Sequence, residues 1–152
     1  MTAPPGCIQP AVVERKDGIL CAYLRTGEGG GCIWQSDSAD GGESWSPCTK
    51  TIWPNPNAGI DLVRCHDGTW VLACNPTASG RGLLSLASSV DEGGSWVELP
   101  VECEPGAEFS YPALLQDRAG QCHLLYTYRR ETIKHVAFEA RSLANEGRPY
   151  QP

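Results

Sequence analysis

The chain has 152 residues, which is long enough for a single domain with a hydrophobic core. Its formal net charge of −6 at pH 7 argues against a nucleic acid or an anionic membrane as a partner, because both require a basic surface. No stretch has the length and apolarity of a transmembrane helix or a secretory signal, so the sequence favours a cytoplasmic location.

Residues 7–53 predict four short strands, at 8–14, 19–25, 32–38 and 45–52. Asp17-Gly18 stands between the first two apolar runs, and an Asp-Gly pair in that position is a strong signal for a tight hairpin. The glycine-rich residues 27–31 separate the second and third strands. Because no Lys-Ser or Lys-Thr follows them, they indicate a hairpin turn and not a phosphate-binding loop.

The same hairpin pattern returns twice, at Gly68 and at Gly120, so that the turns recur about every 50 residues. This period is the length of one four-stranded propeller blade. We therefore predict an all-β fold with blades at residues 7–53, 59–103 and 108–139 and a tail at 140–152. The last blade has three strands at most, and propellers commonly complete such a blade with a strand from the other end of the chain.

A second repeat, S-x-D-x-G-x-x-W, occurs once in each of the first two predicted blades. In this pattern the Ser and Asp oxygens bind backbone N–H groups of a turn, the Gly adopts a positive φ, and the Trp covers the turn. We expect these positions to be structural. They are Ser38, Asp40, Gly42 and Trp45 in the first blade and Ser89, Asp91, Gly93 and Trp96 in the second.

Neither the cysteines nor the histidines predict a metal site. None of the eight cysteines has C-x-x-C spacing and most lie within apolar runs, so buried free thiols are expected. His66, His123 and His135 are too scattered along the chain to suggest a shared metal ion. We expect neither a metal nor a cofactor.

The repeated turns, the hairpin period and the phrases at residues 9–14, 80–86 and 109–114 together resemble the sialidase (neuraminidase) superfamily, in particular its BNR-repeat or Asp-box branch. The resemblance extends from residue 8 to about residue 138. It implies a six-bladed β-propeller of four-stranded antiparallel blades. By this resemblance, the chain looks like the C-terminal half of such a propeller, about three blades.

The resemblance also implies a site. The family clamps the carboxylate of an acidic sugar with three arginines, and it uses a tyrosine nucleophile, a glutamate that supports the tyrosine, and an aspartate as acid/base. Arg25 and Arg81 stand where the second and third arginines are expected, and Tyr111 stands in the place of the nucleophile. Gln9 replaces the glutamate, and an amide cannot accept the proton of the phenol.

The first arginine and the acid/base aspartate would lie in blades outside this chain, and Asp61 is the one acid at a strand start that could reach the channel. Three hypotheses follow: an exo-alpha-sialidase-type glycoside hydrolase, a carbohydrate-binding propeller without hydrolysis, or a fragment that is inactive alone. The expected partner is an acidic sugar or glycoconjugate. Open β-edges further predict that a second copy, or a missing N-terminal half, closes the propeller.

Overall fold

The computed structural model describes residues 6–27 and 31–151, which form three antiparallel sheets in chain order. The first sheet consists of β1 (Cys7–Glu14), β2 (Leu20–Thr26), β3 (Cys32–Ser38) and β4 (Thr49–Pro54). The second contains β5 (Asp61–Arg64), β6 (Trp70–Cys74), β7 (Leu83–Ser89) and β8 (Val97–Cys103). The third consists of β9 (Phe109–Gln116), β10 (Cys122–Tyr128) and β11 (Thr132–Phe138). The helix α1 (Ala140–Glu146) and the short strand β12 (Arg148–Pro149) follow.

Each sheet begins with the tight hairpin that the sequence predicts. The glycines Gly18, Gly68 and Gly120 have φ values of 84°, 89° and 92°, which is the left-handed region that glycine enters without steric cost. The closing hydrogen bonds run from the backbone N–H groups of Arg15, Cys65 and Asp117 to the carbonyl oxygens of Ile19, Thr69 and Gln121. These three closures give a common reference point for comparing positions in the three sheets.

The second sheet is covered on both faces, because β5 lies against both β1 and β9. All five residues of β6 are buried. Trp70 and Leu72 on one side of this strand belong to a core shared with the first sheet, whereas Val71 and Ala73 on the other side belong to a core shared with the third sheet. Two cores therefore separate three successive sheets.

The S-x-D-x-G-x-x-W turns make the hydrogen bonds expected of them. In the second turn Asp91 Oδ1 accepts from Ser89 Oγ at 2.7 Å and from the Ser95 N–H at 2.8 Å. Ser89 Oγ also accepts from the Gly93 N–H at 2.8 Å, and the Trp96 indole donates to the Gly93 carbonyl at 3.1 Å. The same contacts occur in the first turn, among Ser38, Asp40, Gly42, Ser44 and Trp45.

The second of these turns is also part of the core. Trp96 is buried and packs edge-on against Trp53, with ring centroids 5.7 Å apart. Trp53 in turn stacks on Tyr150 at 3.8 Å, so the segment after β12 covers this core. Trp45 in the first turn is only half-buried.

The fourth strand begins at Thr49 and not at residue 45 as predicted. The chain after Trp45 is still held by the preceding turn, because the Ser46 N–H donates to the Asp37 carbonyl at 2.8 Å and the Ser46 carbonyl accepts from Ser36 Oγ at 2.7 Å. Pro47 then lacks the N–H group that a strand needs.

The tail also differs from the expectation. The third sheet has three strands, and within the described residues no strand from the other end of the chain completes it. Instead α1 buries Ala140 and Leu143 in the second core, and β12 pairs with β8. The tail therefore adds a fifth strand to the second sheet.

Candidate functional site

We call β1, β5 and β9, the first strand of each sheet, the inner strands; the site begins with two strained residues on β1 and β9, which lie on either side of β5. Gln9 in β1 and Tyr111 in β9 have φ values of 50° and 53°. Both lie where the pairing with the next strand shifts register, and each is followed by a proline. A left-handed conformation is costly for a residue with a side chain, and such strain concentrates at functional sites.

Gln9 and Tyr111 occupy equivalent positions in their sheets, counted from the residue that closes each hairpin. Gln9, Gly59 and Tyr111 each lie six residues before the residue whose N–H closes the hairpin of their sheet. A methyl group on Gly59 would lie 3.4 Å from Cδ1 of Tyr111 and 3.8 Å from Oε1 of Gln9. Position 59 therefore lies between the side chains of Tyr111 and Gln9, within van der Waals distance of both.

Arg81 lies against the ring of Tyr111, with its Cζ 5.4 Å from the ring centroid. Its Nη1 donates to Glu108 Oε1 at 3.1 Å, and its Nη2 donates to the Asn57 carbonyl at 2.9 Å. The Arg81 carbonyl also accepts from the Phe109 N–H at 2.9 Å, which ties the backbone to the start of β9. The guanidinium is thus fixed beside Tyr111 by groups of the protein.

Arg25, at the end of β2, approaches the same tyrosine with unused hydrogen-bonding capacity. Its Nε and Nη1 atoms are buried and have no hydrogen-bond partner among the described residues. A buried N–H group of a guanidinium without an acceptor is unfavourable, so these atoms are suited to bind an anion that enters the site.

The charge of the two arginines acts on Tyr111. The guanidinium of Arg81, and secondarily that of Arg25, stabilises the phenolate and lowers the pKa of Tyr111 below its usual value near 10. The tyrosine itself is more than half exposed. Its hydroxyl is therefore accessible and more easily ionised than that of an ordinary tyrosine.

Glu108 is part of this arrangement, although the sequence analysis did not identify it. Its carboxylate binds Arg81, Arg130 and the hydroxyl of Ser110. Partial burial opposes ionisation of Glu108, but the hydrogen bonds and charges of these neighbours outweigh it and lower its pKa. The available sequence signal was an acidic residue directly before the strand that carries Tyr111. Arg81 and Glu108 also line a groove of about 620 Å³.

Asp61 is not directed into the site. Its Oδ2 accepts from the Leu114 N–H at 2.7 Å and its Oδ1 from the Leu62 N–H at 2.9 Å, so the carboxylate connects β5 to β9. Burial raises the pKa of this group despite these hydrogen bonds. Its role in the structure is to join two inner strands.

The histidines are less scattered than the sequence suggests. His123 Nδ1 and His135 Nε2 lie 2.9 Å apart on β10 and β11, and His123 Nε2 lies 3.4 Å from Asp117 Oδ2. In the part of the chain that the structure describes, no three His, Cys, Asp or Glu side chains are arranged to hold a metal ion.

All eight cysteines are free thiols, and Cys21, Cys65, Cys74 and Cys122 are buried. The Sγ atoms of Cys65 and Cys122 lie 3.7 Å apart between the second and third sheets. Cys103 is exposed. In the described residues no helix is long and apolar enough to cross a membrane.

Arg25 at the end of β2 and Arg81 just before β7 meet Tyr111 near the start of β9, on three successive antiparallel sheets, and solved structures with a similar fold include sialidases. The structure matches the NanB sialidase from Streptococcus pneumoniae with a TM-score of 0.74 and 18% identity, over 91% of this chain and 24% of that chain. For the intramolecular trans-sialidase from Ruminococcus gnavus the TM-score is 0.70 with 26% identity, over 94% of this chain and 34% of that one. An alpha-L-arabinanase from Penicillium chrysogenum matches with a TM-score of 0.64 and 18% identity, over 90% and 47% of the two chains.

The chain thus spans less than half of each of these structures. Comparison with the sequences of curated proteins gave no significant match. The family model of the BNR repeat-like domain matches residues 1–124, and the chain therefore belongs to the BNR repeat-like family. The predicted membership of the sialidase and BNR-repeat superfamily is confirmed by these matches.

Proposed function

We propose that this chain carries part of a sialidase-type glycoside hydrolase site that acts on an acidic sugar. The observation that carries the proposal is the pair of buried N–H groups of Arg25 that have no acceptor among the described residues; Arg25 lies with Arg81 beside Tyr111. In this proposal the two arginines bind the sugar carboxylate and Tyr111 attacks the anomeric carbon. The site lies at one end of the inner strands.

The arginines differ in their expected contributions. Arg81 is already bound to Glu108 and to the Asn57 carbonyl, so its position is fixed before a sugar arrives. Arg25 has buried donors without acceptors among the described residues, and a carboxylate would satisfy them. A guanidinium can bind a carboxylate through two parallel hydrogen bonds, which also fixes the orientation of the sugar.

Tyr111 fits the role of nucleophile because its lowered pKa favours the phenolate. A neutral phenol also approaches an anionic sugar without the repulsion that a carboxylate nucleophile would meet. Tyr111 would first release its phenol proton to solvent water, and the bond from its oxygen to the anomeric carbon would then form as the glycosidic bond breaks. The proton for the departing oxygen would come from a group outside this chain, and water would later release the sugar.

Gln9 supports a second candidate, a carbohydrate-binding protein without hydrolytic activity. The groups that act most strongly on the pKa of Tyr111 are guanidinium groups and not a carboxylate. The amide of Gln9, which lies across Gly59 from the tyrosine, cannot take up the phenol proton. Such a protein would retain sugar binding through Arg25 and Arg81.

Binding and hydrolysis are measured separately to distinguish these candidates. Binding of N-acetylneuraminic acid is followed by calorimetry, with a neutral methyl galactoside as control ligand, and hydrolysis by release of 4-methylumbelliferone from its sialoside. Arg25→Gln should weaken binding roughly ten- to a hundredfold, because a charge-assisted hydrogen bond contributes about 1.5–3 kcal/mol. Arg148→Gln, an exposed change on β12, is the matched control.

Tyr111→Phe separates the two functions. For a hydrolase, this variant should bind the sugar with nearly unchanged affinity and lose turnover. Binding in the wild type without any turnover would favour the carbohydrate-binding candidate. Equal binding by wild type and Arg25→Gln would contradict both, because Arg25 would then not contact the carboxylate.

A further inference from the structure

The outward side of the third sheet is unusually apolar for a surface in water. Its cross-strand rows are Ala113, Leu125 and His135, and Leu115, His123 and Ala137. None of these six side chains carries a permanent charge. Leu115 is 49% exposed. We call these two rows the outer face. An antiparallel sheet with one side in solvent normally has polar residues on that side, so the outer face has the composition of a covered surface.

The equivalent positions in the other two sheets are buried. Counted from the hairpin closures, Leu125 corresponds to Tyr23 and Ala73, which are 3% and 0% exposed. His123 corresponds in the same way to Cys21 and Val71, both with 0% exposure. In both of those sheets the next sheet in sequence provides the cover.

The packing of the first sheet on the second, and of the second on the third, indicates which residues would cover the outer face. Val13 of β1 shares the first core with Leu62 of β5. Val63 of β5 packs in the second core, where Leu114 of β9 also packs. In each pair, the first residue lies two before a hairpin closure and the second lies three before the next closure.

The chain itself contains the complementary residue. The next contact of this kind would begin with Leu115, and the residue three before the closure of the first hairpin is Val12. Val12 is 47% exposed on the side of the first sheet that faces away from the second. On that side Leu24 and Trp34 lie in one cross-strand row with Pro10.

We propose that the outer face of the third sheet binds this side of the first sheet in a second copy of the chain, and that the reciprocal contact forms at the same time. Two copies related by a two-fold axis would close a ring of six sheets and would cover both Leu115 and Val12. The inner strand next to Tyr111 would then be β1 of the second copy. Gln9 of that copy would lie beside Tyr111, so the partner would contribute a residue to the candidate site.

His123 is compatible with this burial, because both of its ring nitrogens have polar neighbours. His123 and His135 share a hydrogen bond across the outer face, and the second nitrogen of His123 is near Asp117. A polar group that already has its partners can be covered at lower cost than one that loses its hydrogen bonds to water.

Light scattering after gel filtration, over a wide range of protein concentrations, tests the proposal. Wild type should have twice the chain mass of 16.4 kDa. Leu115→Lys and Val12→Asp alter opposite faces, and each alone should reduce the mass to that of a monomer. The chain that carries both changes should form dimers again, because each contact then pairs a lysine with an aspartate. Val90→Lys, at a 70% exposed position in a turn, should leave the mass unchanged.

Circular dichroism shows whether each variant is folded. Because Leu115→Lys and Val12→Asp change different faces, the proposal can still be tested if one of the two variants does not fold. A monomeric wild type would overturn the proposal and would indicate that other sheets of a longer chain cover this face. Heterogeneous aggregates would overturn the closed two-copy ring. A dimer that persists in both single variants would place the contact elsewhere.

Discussion

Arg81 and Glu108 are joined by a 3.1 Å hydrogen bond and by a parallel bridge between their backbones. The same guanidinium lies against the Tyr111 ring. One interaction thus orients the arginine and places positive charge beside the tyrosine. The pKa of Tyr111 therefore reports whether the guanidinium of Arg81 is held in place beside it.

Arg81→Gln should raise the pKa of Tyr111 toward its usual value near 10, because the main stabilising charge on the phenolate is removed. Absorbance at alkaline pH follows tyrosine ionisation, and Tyr111→Phe identifies the transition that belongs to this residue. Arg148→Gln should leave that transition in place. An unchanged Tyr111 transition in Arg81→Gln would mean that the guanidinium does not act on the hydroxyl.

Glu108→Ala should weaken the binding of N-acetylneuraminic acid by about fivefold, because Arg81 loses a hydrogen-bonded anchor that contributes about 1 kcal/mol. Glu108→Gln keeps an oxygen acceptor for Arg81 and should retain most of the affinity. Calorimetry measures both variants. If Glu108→Gln binds the sugar as weakly as Glu108→Ala, the negative charge of Glu108, and not its hydrogen bond to Arg81, maintains the affinity.

The hairpins were predictable because they are determined locally. Asp17-Gly18 and Asp67-Gly68 place an aspartate next to a glycine with positive φ, and each aspartate accepts from the backbone N–H two residues later. The start of β4 was wrong by four residues, because the backbone of Ser46 is held by contacts with β3 that sequence spacing does not reveal.

The tail could not be predicted for a related reason. α1 is short, and its buried residues Ala140 and Leu143 give only one helical repeat of apolar positions. β12 contains two residues and exists only through its pairing with β8. Structures of this kind depend on tertiary contacts and carry little signal of their own.

The site was predictable in part. Arg25, Arg81, Tyr111 and Gln9 were identified through resemblance, and their catalytic and binding roles remain predictions. The left-handed backbone of Gln9 and Tyr111 could not be read from their residue types, because glutamine and tyrosine seldom adopt it. Glu108 was missed because its contact with Arg81 joins residues 27 positions apart.

Trp96→Ala should lower the free energy of unfolding by about 3–5 kcal/mol, because a buried tryptophan is removed from a contact with Trp53 and Tyr23. Trp45→Ala removes the equivalent, half-buried residue of the other turn and should cost only about 1–2 kcal/mol. Urea unfolding measures both. Similar losses in the two variants would show that the turn itself, and not the core contact, determines the cost.

Asp40 should contribute to acid sensitivity. Hydrogen bonds from Ser44 and then from Ser38 lower the pKa of Asp40 to about 2, compared with its usual value of 3.8. The stabilisation is therefore fully present above about pH 4 and is lost as the pH falls toward 2. Asp40→Asn should be less stable than wild type at pH 7, and the difference should shrink at pH 2. A constant difference in the urea midpoint across this range would contradict the assignment.

The cysteines should differ in reactivity according to burial. Cys103 is exposed, whereas Cys74 is fully buried and burial raises its pKa. Burial also raises the pKa of Cys65 to about 12, so this thiol has little reactive thiolate at neutral pH. Reaction with a coloured disulfide reagent should show a fast phase that Cys103→Ser removes. All eight thiols should react after unfolding in urea. A fast phase that survives in Cys103→Ser would mean that another thiol is more accessible than the packing allows.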